Sequence, residues 1–142
     1  MNKYYLDMTA HLDADFECLK QQCNITNLSW LSTSYTVFNG WEICEVNLLD
    51  NKTKIKYEVW FKIESILDLG QSAYLDQLPG TKTVTNPPDR ARLRIMTAIR
   101  QIAYYAEHTW KHDPEQGFAE PGETERIEIT DSGQIDNIGK VH

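Results

Sequence analysis

From residue 28 to residue 63 apolar and polar side chains alternate with a period of two, the pattern of strands that bury one face and wet the other. LSWLSTSYTVF runs into Asn39 and Gly40, a dipeptide suited to a two-residue hairpin because both positions tolerate positive φ, and WEICEVNLL returns. A second turn at Asp50, Asn51 and Lys52 leads into TKIKYEVWFKI, where Ile55, Tyr57, Val59, Phe61 and Ile63 share a face opposite Lys54, Lys56, Glu58 and Lys62. Trp60 interrupts that polar face, so it marks either a contact site or a spot covered by its neighbours. Residues 3–9, with Tyr4, Leu6 and Met8 in alternation, predict a first strand, and ERIEIT, with Ile127 and Ile129 inward, a last one.

Elsewhere the period lengthens to that of a helix. Leu12, Phe16, Leu19 and Cys23 recur at helical spacing behind Asp13 and Asp15, predicting a short N-terminal helix that ends at the polar NITN run. Residues 64–78 predict a short or broken helix, and TKTVT (81–85) a brief strand or extended approach. Residues 87–112 predict one long helix, with Asn86 as cap and Pro87 and Pro88 in a first turn whose N–H groups lack partners anyway. Ile95, Met96, Ile99, Ile102, Ala103, Ala106 and Trp110 form its apolar side. Arg90, Arg94, Thr97, Gln101, Tyr105, His108 and His112 run along the opposite side. Residues 113–123 have the Pro, Gly and acid content of a surface loop, and residues 131–142 predict a loosely held tail. The expected architecture is α+β in a single domain spanning 1–142: an antiparallel β-meander of four to five strands, packed by one long helix in the C-terminal half and a short N-terminal helix.

With 142 residues and 41% hydrophobic content the chain can bury one core. Nothing near the start resembles a signal peptide and no apolar run reaches membrane-spanning length, so a cytoplasmic protein with no membrane attachment is expected. Cys18, Cys23 and Cys44 fit neither a disulfide framework nor a zinc knuckle, and predict buried thiols. A net charge of −7 opposes nonspecific attraction to duplex nucleic acid. Between Asp113 and Asp136 eight carboxylates face only Arg126, which makes this region an internal partner for cations, a docking surface for a basic protein, or a solvated loop and strand.

Four of the five arginines lie in the long helix, and Arg90, Arg92 and Arg94 crowd its first two turns, where the helix end is already partly positive. Cations there call for an anion nearby, either carboxylates of the chain or a bound phosphate or carboxylate. Arg92 falls within the apolar side of the wheel and must be paired if buried. His108 and His112 have a spacing that could share a metal, but two ligands make no site, and the helix dipole already accounts for histidines at a C-terminal end. Nucleophile elbows, phosphate-cradling loops and dinucleotide fingerprints are missing, so no cofactor, metal or catalytic residue is assigned.

These features predict a non-catalytic acidic binding protein that recognises or inhibits a protein partner, a basic one being the match for its acidic region, through Trp60, Glu120, Glu123 and Glu125. The alternative is a small anionic ligand such as a nucleotide held by Arg90, Arg92, Arg94, Gln101, Tyr104, Tyr105 and His108. The ligand reading requires those arginines to converge with aromatics on a pocket; the protein reading requires a broad acidic or apolar surface. A homodimer is a further possibility because an open meander has an edge to be covered, charged or paired, and the lysines of residues 53–63 could guard it.

Overall fold

The computed structural model describes residues 1–67, 86–107, 119–131, 133 and 135–141. The elements are α1 (Tyr5–Thr9), α2 (Leu12–Cys23), β1 (Leu28–Phe38), β2 (Trp41–Asp50), β3 (Lys56–Lys62), α3 (Ile63–Leu67), α4 (Pro87–Glu107), β4 (Thr124–Ile129) and β5 (Ile135–Lys140). The strands form one sheet in the order β1-β2-β3-β4-β5.

The hairpin forms where the sequence places it. Asn39 and Gly40 take φ of 50° and 80°, the mirror-image turn whose twist matches that of the strands it joins. β1, β2 and β3 then pair antiparallel, as alternation with tight turns requires. β4, however, enters beside β3 in the same direction, so the sheet is mixed rather than a pure antiparallel meander. The cause is connection length: parallel neighbours need a crossover long enough to carry the chain back, and α3 and α4 occupy this one. The lysine-bearing strand β3 is consequently central and guards no edge.

Two further expectations change. Within residues 3–9, Tyr5–Thr9 makes a helix instead of a strand, because the row that is buried is Tyr5, Met8, Leu12 and Phe16, spaced by threes and fours, while Leu6 is 70% exposed. Residues 135–140, expected in a loose tail, pair with β4 as the last strand. α2 ends on Asn24, whose left-handed backbone (φ 53°) lets its N–H reach the Lys20 carbonyl.

The core lies between the helices and one face of the sheet, joining Met8 and Leu12, Phe16, Leu48, Tyr57, Phe61, Ile95 and Ile99 into a single cluster. The buried stripe of α4 runs through Ala91, Arg94, Ala98, Ile102 and Tyr105 as well as Ile95 and Ile99. Its alanines let the helix approach the layers beneath it. Arg94 and Tyr105, expected on the wet side, are therefore buried at 5% and 4% exposure. Residues 108–112 of the expected helix, with Trp110 and both histidines, lie outside the described residues, as do 68–85 and 113–118. Among the described residues no helix is long and apolar enough to cross a membrane.

Candidate functional site

The arginines at the start of α4 turn to different sides, and Arg92 borders an open hollow of about 460 Å³ together with the carboxylates of Asp15 and Asp89. Arg92 makes a two-pronged contact with Asp15 of α2, Nε to Oδ2 at 2.9 Å and Nη2 to Oδ1 at 2.8 Å, and touches Asp89 at 3.3 Å. The Asp15 hydrogen bonds push its pKa above the ordinary value. Arg94 turns the other way, where Nη1 donates to the carbonyl oxygens of Ser65 at 3.0 Å and Ile66 at 2.8 Å and so ties α3 to α4. Both serve the packing of helices. Arg90 is half-buried in the first turn.

Further along α4 the expected row divides. Tyr105 lies inside, where its hydroxyl donates to Glu125 Oε2 at 3.2 Å and its ring meets the ring of Tyr57 edge-on at 6.4 Å. The Ala119 N–H donates to Glu125 Oε1 at 2.9 Å. Glu125 is thus fully buried, and the expectation that it meets a partner at the surface is corrected: its carboxylate serves Tyr105 and the β4 approach. Burial first, then the charge of Glu125, pushes the Tyr57 and Tyr105 hydroxyls far above their ordinary pKa. Gln101 and Tyr104 remain accessible and, with the buried Tyr105, line a cavity of about 660 Å³ between α2, α4 and β5, walled by Ile25, Ile135 and Ile138. The arginine beside this cavity is Arg100, which the sequence did not single out. His108 lies outside the described residues.

The other face of the sheet is built from strands alone among the described residues. Trp60 and Ile43 are 8% and 4% exposed there, yet neither belongs to the core cluster. Trp60 is covered locally: Phe38 lies against its ring at 5.2 Å, the Arg126 guanidinium stacks 4.0 Å from its centre, and its Nε1–H donates to Glu45 Oε1 at 2.9 Å. Arg126 is held by Glu58 at 3.3 Å, its partner one strand away. At the hairpin end the cover stops. Phe38 and Trp41 are 48% and 42% exposed, and Lys62 Nζ sits 4.3 Å above the Trp41 ring. Sequence reasoning placed Trp60 on this face but missed Phe38 and Trp41, whose exposure follows from their place at the hairpin end, where the strands and their side-chain cover run out.

Glu120 and Glu123 sit in the turn before β4, the Glu123 carboxylate accepting the Glu120 N–H at 2.8 Å. They form no broad acidic surface with Glu125, which is buried in the core. Cys18 and Cys23 are exposed rather than buried; Cys44 is the buried thiol, pushed up to about 12 by desolvation and the Glu45 charge. Among the described residues no three His, Cys, Asp or Glu side chains converge as metal ligands. The chain matches no family model, and no curated protein or solved structure is similar to it.

Proposed function

We propose that this chain is a non-catalytic recognition domain whose working surface is the hairpin end of the sheet face opposite the helical core. The observation that carries the reading is the exposed pair Phe38 and Trp41 standing beside the covered Trp60. Aromatic rings at a rim, with a preorganised neighbour behind them, supply the anchors that dominate protein interfaces. Glu45, beside Trp60 in the strand register, is engaged by the Trp60 and Asn47 side chains, so the exposed rings are the surface's anchors and a partner with an apolar knob fits best. Phe38→Ser and Trp41→Ser variants test it by cross-linking capture from cells that make the protein. A partner captured by the parent chain should be lost in both, since removal of an anchor costs about 2 kcal/mol or more, roughly thirtyfold in affinity. Equal capture by parent and variants, with unchanged circular dichroism, would sink the proposal.

A second reading rests on the cavity beside Arg100, Gln101, Tyr104 and Tyr105, whose volume of about 660 Å³ suits a small ligand. An anion such as a nucleotide would use Arg100 there rather than Arg92 or Arg94, which hold carboxylate and carbonyl partners of their own. A thermal-shift screen of nucleotides and phosphorylated metabolites separates the readings. Stabilisation by one compound that disappears in Arg100→Ala favours the cavity.

A further inference from the structure

We infer that two copies of this chain pair through the outer edge of β1, joining their sheets across a two-fold axis. β1 is the first strand in the sheet order and, among the described residues, no segment pairs with its outer side. It is eleven residues long, LSWLSTSYTVF, with no charge, proline or glycine, and its one irregularity, between Trp30 and Ser32, leaves the stretch from Ser32 to Phe38 regular. Strands at a border normally carry such residues, because unpaired N–H and C=O groups recruit other chains. The opposite border, β5, has six residues that include Asp136, Gly139 and Lys140.

The geometry selects a register. A two-residue mirror-image turn closes on a hydrogen-bonded pair, here Phe38 with Trp41, and the ladder then alternates along β1. Thr33, Tyr35 and Val37 therefore direct their backbone N–H and C=O groups away from β2. In a two-fold antiparallel pairing each residue meets one at a mirrored position, so any charge near the centre would be brought close to its own copy. β1 has none, which makes it compatible with itself. Centring the axis on Ser34 pairs Thr33 with Tyr35 of the second copy. The regular run then extends from Ser32 to Thr36 of each copy, and the register shift between Trp30 and Ser32 bounds it on one side. The pairing uses the strand's edge and leaves the Phe38–Trp41 face open, so it stands or falls apart from the partner surface proposed above.

Sedimentation equilibrium with multi-angle light scattering provides the test. The parent chain should run at twice the mass of one chain, and Ser34→Lys/Thr36→Lys should run as a single chain with unchanged circular dichroism. A second variant guards against misfolding: Ser34→Cys in a Cys18→Ser/Cys23→Ser background should form a covalent dimer on mild oxidation. In this register the two Ser34 positions face each other as a non-hydrogen-bonded pair, about 4.5 Å apart between Cα atoms, within disulfide reach. A parent chain of single mass at all concentrations, a dimer that survives both lysines, or no cross-link through residue 34 would each overturn the pairing.

Discussion

The two faces of the sheet bury aromatic rings by different means. On the helix side Tyr57 and Phe61 vanish beneath α3 and α4, and the polar atoms admitted there, from Arg94 and Glu125, carry fixed partners. On the other side, where the described residues are strands alone, Trp60 is nearly as buried, but against it lie a ring from β1, two strands away, and a guanidinium from the adjacent β4. A helix covers a long stripe, whereas side chains of neighbouring strands cover one position at a time. The cover therefore runs out where strands end, and Phe38 and Trp41 are left open at that boundary.

The contrast can be broken most strongly by titration, because three groups of the helix side resist ionisation together. Cys44, Tyr57 and Tyr105 have folded pKa values above their ordinary 9.0 and 10.0, so the folded state holds protons that the unfolded chain releases. Their contribution is fully present below about 9 and is lost progressively as the pH rises toward the folded value of about 12 for Cys44. Denaturation midpoints measured from pH 8 to 11 should fall steadily, with a shallower fall in Cys44→Ala once its own cavity loss at pH 8 is subtracted.

Among substitutions, Phe16→Ala should remove about 3 to 5 kcal/mol by urea denaturation, since the fully buried ring fills a core that cannot collapse around the loss. Arg94→Met keeps most of the volume but strands two carbonyls of α3. About 1 to 3 kcal/mol should go, with most of the loss expected as earlier exchange of α3 amides. Trp60→Leu should cost about 1 to 2 kcal/mol, the sum of one indole hydrogen bond and one cation–π contact. If Trp60→Leu matches Phe16→Ala, the two faces bury aromatics equally well and the distinction fails. Lys62→Ala sharpens the boundary: it should change stability by less than about 0.5 kcal/mol while altering the emission of Trp41.

The hairpin and α4 were legible because each announces itself locally, through Asn39-Gly40 and through a long amphipathic run. Residues 3–9 misled because seven residues can satisfy two periods at once; only Leu12 and Phe16, counted with Tyr5 and Met8, select the helical one. Alternation in β3 and β4 reports which face a residue takes, not which strand lies beside it, so the parallel pairing of Val59 with Ile127 left no local trace. Arg94 and Tyr105 looked wet because their partners, the α3 carbonyls and Glu125, come from distant segments. Of the candidate residues, Trp60 was placed on the correct face, Gln101 and Tyr104 do line a cavity, and Arg100 beside them had no distinguishing pattern of its own.

The parallel junction between β3 and β4 also sets an order of assembly. Residues 28–62 can form three paired strands as soon as they leave the ribosome, whereas Glu58 meets Arg126 only after the whole of α4 has been made. That junction is the zip's last tooth. Pulse-labelled amide exchange during refolding should find protection in the hairpin first, and in β4 and β5 only when the chain reaches its native form.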